Sequence, residues 1–174
     1  MSTISSTASN AALSAFATGT HDTAQTTEVC SFYLGDGMYG LPIAHILEIV
    51  GGARPENVPL APPFVGGLVH YRGDVLTAVS ARKLLGMPPL EGKGPDLLVM
   101  ESTNGCFGLL VDAVREVLTV GNECFEPSPS TVRERSKALF AGAYKLKDSL
   151  MVMLDAERID PIVLAELVEP AKVN

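Results

Sequence analysis

Two charged residues stand inside otherwise apolar segments: Glu48 in Ile46-Leu47-Glu48-Ile49-Val50, and Arg72 after Leu68-Val69-His70-Tyr71. A charge in such surroundings needs a partner of opposite sign, and the planar guanidinium fork suits a carboxylate. A Glu48–Arg72 ion pair is therefore expected. Other constellations carry less. Asp112 and Glu116, with Arg115 between them, have the residue types of an acid–base pair. On a strand they would share a face about 13 Å apart, too far for a dyad, and are expected to be edge or interface charges. Gly86-Met-Pro-Pro-Leu-Glu-Gly92-Lys93-Gly94 departs from a phosphate loop, since five residues separate its glycines and Gly94 stands where a Ser or Thr hydroxyl belongs. Ser80 and Ser149 lack a nucleophile elbow. Cys30, Cys106 and Cys124 form no CxxC spacing and His21, His45 and His70 are scattered, so no metal, cofactor or catalytic set is expected.

The elements that would position these residues must come from 174 residues, 47% apolar and 19% charged, enough for one domain or two small lobes sharing a core. Aromatics are 6% with no Trp, which argues against base-stacking platforms. Thirteen basic against twenty acidic residues give −7, which argues against nucleic acid or an anionic membrane as the main partner. No apolar run approaches the roughly 18–20 residues of a membrane span, and Met1-Ser-Thr-Ile-Ser-Ser-Thr lacks the basic and apolar regions of a signal peptide. A soluble cytoplasmic protein without direct membrane insertion is expected.

Residues 1–27 are mostly Ser, Thr and Ala, too poor in periodic apolar positions to offset the entropy of ordering, and read as a disordered tail. Beyond it, short apolar runs alternate with turn residues. Strands are expected over 29–34, 38–43, 68–71, 75–79, 97–101, 106–112, 113–120, 140–146 and 150–154, with one or two helical turns at 80–85. Pro161 opens a short C-terminal helix over 161–168. This predicts an all-β domain over 28–168, with a first lobe at about 28–86, a Gly/Pro-rich linker at 87–96 and a second lobe at about 97–160.

The two halves repeat. Tyr39 to Val50 aligns without a gap on Phe107 to Leu118, a shift of 68, and Gly67 to Arg82 aligns on Gly142 to Glu157, a shift of 75. Glu116 and Lys147 are then the counterparts of Glu48 and Arg72, and two superimposable lobes follow, with Gly40 over Gly108 and Gly67 over Gly142. A duplicated lobe says little about chemistry, but it creates an inter-lobe groove and two similar outer faces.

Several motifs in order carry a resemblance. Tyr39-Gly40 with Ile46-Leu47-Glu48-Ile49, Phe64-Val65-Gly66-Gly67 with Arg72-Gly73-Asp74-Val75-Leu76, Gly108-Leu109-Leu110-Val111-Asp112 with Arg115-Glu116-Val117, Phe140-Ala141-Gly142, and Leu150 to Asp155 resemble the CheW-like coupling proteins of bacterial chemotaxis over about residues 28–160. The resemblance implies two intertwined five-stranded SH3-like barrels. It also implies a non-catalytic adaptor joining the regulatory domain of a CheA-type histidine kinase to the cytoplasmic tips of chemoreceptors, recruited to membrane-associated arrays. By the same resemblance Glu48 and Arg72 flank the receptor groove and Ile46, Gly67 and Leu68 line it. Kinase contacts fall on exposed barrel faces. The family often has Asn-Leu-Arg-Gly where this chain has His70-Tyr71-Arg72-Gly73, and Asp where this chain has Ser80. An adaptor of a twitching-motility pathway would use the same domain. A small β-barrel regulator or enzyme would need a convergent site, which the residues do not offer.

Overall fold

Residues 25–128 and 138–168 are described by the structure, a computed structural model. Eleven strands form two sheets. In chain order these are β1 (Thr26–Leu34), β2 (Gly37–Pro42), β3 (Ile46–Val50), β4 (Val65–Tyr71), β5 (Asp74–Ser80), β6 (Asp96–Ser102), β7 (Gly105–Val111), β8 (Ala113–Gly121), β9 (Phe125–Pro127), β10 (Phe140–Lys145) and β11 (Leu150–Leu154). Helix α1 (Ala81–Leu84) follows β5, and α2 (Pro161–Val168) follows β11. Ser80 caps α1, its hydroxyl accepting from Lys83 N at 3.3 Å, which is the work an Asp there would do. The expected disordered tail lies outside the described residues as far as position 24; its last residues do not, because Thr26 and Thr27 pair with Gly121 and Val120.

The sheets run β8-β1-β2-β11-β10-β9 and β3-β6-β7-β5-β4, two SH3-like lobes. This corrects the division into a first lobe at 28–86 and a second at 97–160. Each repeat places its leading hairpin in one sheet and its remaining strands in the other, so β1–β2 joins β8–β11 and β6–β7 joins β3–β5. It also corrects the strand count, since the short β9 gives the first sheet six strands. The second sheet has only an isolated bridge, Glu56 to Leu68, beyond β4.

The repeat itself holds at the level of register. Gly40 lies parallel to Met153, and Gly108 lies parallel to Ala78. These pairs are related by the same shifts of 68 and 75 that align the sequence. A bulge between Val65 and Gly67 recurs between Phe140 and Gly142. At each, the space a Cβ would fill is taken by a carbonyl, that of Glu56 near Gly67 and that of Glu126 near Gly142. Glycine is required there by this close approach, and at Gly67 also by a φ of 140°.

Burial explains why strand readings were apolar on both faces. Along β6, Leu97 and Val99 turn into the interior of the second lobe, while Leu98 and Met100 face the core between lobes. The counterparts in β1 repeat the division: Val29 enters the first lobe, Cys30 and Phe32 the shared core. Strands covered on both sides lose the usual alternation of polar and apolar residues. The shared core, with Phe32, Leu41, Phe64, Leu109, Ile159 and Leu164, welds the lobes together.

Candidate functional site

Glu48 projects from β3 and Arg72 from the β4–β5 turn, and their charged groups meet at 2.9 Å. Arg72 (φ 48°) and Gly73 (φ 85°) both occupy the left-handed region, as the two central residues of a tight type I′ hairpin must. Tyr71 donates its hydroxyl to the same Glu48 oxygen at 2.5 Å, and the Arg72 guanidinium lies 5.3 Å from the Tyr71 ring centre. The hydrogen bond to Glu48 is the main reason the Tyr71 phenol is held above its ordinary pKa. The pair is more open than a charge in apolar sequence suggests: the side chains are 73% (Arg72) and 36% (Glu48) exposed. β3 is an edge strand, so the neighbouring Leu47 and Ile49 face solvent and Glu48 reaches its partner over the rim.

The other residues implied by the resemblance lie on β3 and β4 of the same sheet. Ile46 is half-buried against the inter-lobe core, and Gly67 is buried under the Glu56 carbonyl. Leu68 lines an elongated cleft of about 550 Å³. Its walls are the loop carrying Leu60, the β4 residues Val65 and Leu68, the start of β7 at Cys106, and α2 at Ile162 and Ala165. Leu60 is fully exposed at φ 62°, a left-handed conformation that costs an L-residue energy and holds its side chain out at the cleft edge.

A second ion pair was missed by the sequence reading. The Arg82 guanidinium grips Asp112 through two hydrogen bonds of 2.6 Å, and a third 2.6 Å bond joins it to the Pro88 carbonyl. Asp112 also accepts from Gly35 N at 2.7 Å. Only 16% of the Arg82 and 13% of the Asp112 side chain is exposed. Burial alone would raise the Asp112 pKa, but the bonds from Arg82 and Gly35 and the Arg82 charge hold it below the usual carboxylate range. Asp112 stands where the first copy has Ala44, and that break in the repeat was the available signal. The expectation of an edge or interface charge fits exposed Glu116 but not Asp112, which is largely buried in this pair.

The counterpart ion pair of Glu116 and Lys147 does not form. Among the described residues, only Leu60 and Arg72 are non-glycine residues with positive φ, so the turn at Lys147 lacks the left-handed geometry that swings Arg72 towards β3. Lys145 pairs instead with Glu126 at 2.5 Å. Burial pushes the Cys30 thiol upward, while Cys106 is exposed and Cys124 intermediate. His70 sits 3.7 Å from Glu56 in solvent. Among the described residues no group of three His, Cys, Asp or Glu side chains could hold a metal ion, and no helix is long and apolar enough to cross a membrane. The mixed-charge segment 133–137 lies outside the described residues.

The chain thus presents two interlocked SH3-like lobes, an apolar cleft and, outside the cleft's lining, the exposed Glu48–Arg72 pair. The model of the CheW-like domain matches residues 28–161, and the chain belongs to that family. It is 28% identical over 139 residues to the chemotaxis protein CheW of Helicobacter pylori, covering 79% of this chain and 84% of the relative. It is 27% identical over 135 residues to CheW of Rhizobium meliloti, covering 77% and 87%. The scaffolding protein TtCheW of Thermoanaerobacter tengcongensis has a similar structure, with a TM-score of 0.70 and 25% identity over 78% of this chain and 92% of that one.

Proposed function

We propose that this chain couples the cytoplasmic tips of chemoreceptors to the regulatory domain of a CheA-type histidine kinase, within arrays beneath the membrane. The observation that carries this reading is that β4, which lines the apolar cleft, leads into the turn that carries Arg72 and its ion pair with Glu48. Leu68 lines the cleft, Tyr71 ends β4 three residues on, and Arg72 opens the following turn, about 13 Å from Leu68 at strand spacing. A helical receptor tip docks apolar side chains into the cleft and meets the ion pair at its polar edge, the helix-in-groove mode. Glu48, Arg72, Ile46, Gly67 and Leu68 thus act as one receptor surface, with Leu68 in contact and Gly67 holding the strand path. The kinase regulatory domain takes a separate exposed face. Signal passes without a covalent step, because receptor states that bind the scaffold differently shift the kinase equilibrium by that difference.

The test is a titration of the full chain with a receptor signalling-tip fragment and, separately, with a kinase regulatory domain. Leu68→Glu should reduce receptor affinity at least tenfold and leave kinase affinity within about twofold, since a charge in an apolar wall is left without a partner. Unchanged receptor affinity in a folded Leu68→Glu protein overturns the assignment of the cleft.

A further inference from the structure

The two long walls of the cleft are joined by one carboxylate. Asp160, 2% exposed, immediately precedes α2. Its Oδ1 accepts from the backbone N–H of Ile162 at 2.7 Å and of Val163 at 3.4 Å, and its carbonyl accepts from Leu164 N at 2.8 Å. Its Oδ2 accepts from the Ser102 hydroxyl and from Asn104 Nδ2 at 3.3 Å, both in the β6–β7 hairpin. Ser102 in turn accepts from Asn104 N at 3.1 Å, which ties the hairpin turn to the same point. Ile162 and Ala165 line the cleft from α2, and Asn104, Gly105 and Cys106 line it from the β6–β7 hairpin.

We propose that Asp160 is the positioning residue of the cleft, fixing the α2 wall against the β6–β7 hairpin wall so that the gap between them fits a receptor tip. This rests on the cleft being the receptor surface. Helix α2 is only eight residues long and would not persist in water without tertiary anchors. Its described anchors are Leu164, buried in the inter-lobe core, Ala165, packed against that core, and Asp160. Leu164 sets how deep the helix sits; Asp160 sets where its first turn stands relative to the hairpin. The repeat shows that this latch is specific to the cleft. By the shifts of 75 and 68, Asp160 corresponds to Leu85, and Ser102 and Asn104 correspond to Leu34 and Asp36. The first hairpin is held differently, by Asp112 on Gly35 N with Arg82 as counter-charge. Among the described residues Asp160 has no cationic partner, so its tether to the hairpin consists of neutral donors alone.

The decisive variant is Ser102→Ala with Asn104→Ala, which removes the tether and leaves the Asp160 cap on α2 intact. Hydrogen exchange should accelerate at the β6–β7 turn and in the first turn of α2, with exchange in β1 unchanged. Affinity for the receptor signalling-tip fragment should fall about 5–10-fold, the loss of one or two net hydrogen bonds, while kinase regulatory-domain affinity stays within about twofold. Asp160→Ala should lose more, and Asp160→Asn, which keeps an oxygen for the Ile162 and Val163 N–H groups but turns an amide NH2 towards the Ser102 and Asn104 donors, should lose about as much receptor affinity as the double variant. Receptor affinity equal to wild type in the double variant, with exchange raised at both walls, overturns the proposal. If Leu68→Glu has already shown that the cleft is not the receptor surface, exchange alone decides: unchanged protection of both walls in the double variant overturns the latch.

Discussion

Glu48 and Arg72 lie at the two outermost strands of a five-stranded sheet, yet their charged groups are 2.9 Å apart. A flat sheet would hold β3 and β4 about four strand spacings, roughly 19 Å, from each other. The sheet therefore rolls until its edges meet, and Val50 of β3 and Tyr71 of β4 pack on the same interior cluster beneath the contact. The ion pair is the polar end of that closure. It stands at the mouth of the lobe, with both partners available to a docking surface.

Because Arg72 is mostly exposed, the pair contributes little to folding. Glu48→Ala and Arg72→Ala should each cost at most about 1 kcal/mol, and a double-mutant cycle should give a coupling of about 0.2–1 kcal/mol. Receptor-fragment affinity should fall by more than tenfold in both. Arg72→Gly separates the two roles: it removes the charge while relieving the left-handed strain at φ 48°, so it should melt at or above the temperature of Arg72→Ala and bind receptor equally poorly. Thermal melts and receptor titrations read both effects, and neutral binding in all three variants refutes a role for the pair at the interface.

Arg82 and Asp112 should behave in the opposite way, as a buried clasp whose loss is felt in stability. Asp112→Ala strands the guanidinium beside the inter-lobe core and should cost about 2–4 kcal/mol, measured by denaturant unfolding. The folded-state pKa of Asp112 is depressed, so its contribution is complete above the unfolded value near 4 and is lost as pH falls through the folded value. Arg82 stays charged throughout. The stability gap between wild type and Asp112→Asn should thus be constant above about pH 5 and shrink as the pH drops below about 4. A gap that widens on acidification would contradict the assignment.

Some of this was legible in the residues and some was not. The repeat survived because register depends on side-chain type: Tyr39-Gly40 and Phe107-Gly108 occupy equivalent positions, and the glycines at 67 and 142 sit in equivalent bulges. The exchange of hairpins was invisible. Val29 to Leu34, apart from Ser31, and Leu97 to Met100 are apolar whichever sheet they join, since both strands are covered on two faces, and nothing local in a strand names its neighbour. Glu48 and Arg72 stood out as charges within apolar runs. Asp112 and Asp160 did not, because each lies at the boundary of an element where acids are ordinary, and their partners come from distant parts of the chain. Tyr71 was noted only as a departure from Leu; its hydroxyl adds a bond to Glu48 that Leu could not make.

Strand β1 begins at Thr26, earlier than composition suggested, and what its first residues contribute can be tested by trimming. Gln25 accepts from Asn122 N at 2.9 Å, Thr27 donates its hydroxyl to Asn122 Oδ1 at 3.0 Å, and Thr26 and Thr27 extend the β1–β8 ladder. A chain beginning at Gln25 should melt within about two degrees of full length. One beginning at Glu28 should lose about 1–2 kcal/mol, several degrees for a domain of this size. Equal melting of the two trimmed chains would show that the first turn of β1 adds nothing.

The two bulge glycines give the most direct check that the lobes are equivalent. A Cβ on Gly67 would stand 2.5 Å from the Glu56 carbonyl oxygen, and one on Gly142 2.3 Å from that of Glu126. Both obstacles are backbone, so a whole segment must move rather than one flexible side chain. Glu56 is hydrogen-bonded in both directions to Leu68, at 2.8 Å each way, and Glu126 lies in β9 opposite Ala143. Neither can retreat without breaking that pairing. Gly67→Ala and Gly142→Ala should each destabilise by about 1–3 kcal/mol, and their effects should add, because they strike separate lobes. They should differ in function. The Gly67 bulge sets the path of β4 beneath Leu68 and Arg72, so its variant should also weaken receptor binding, whereas Gly142→Ala should spare it under conditions where both remain folded. Stability measured by urea unfolding and affinity by titration at low temperature decide the matter. A Gly142→Ala protein that loses receptor affinity as severely as Gly67→Ala would show that the site depends on general stability and not on the local geometry of β4.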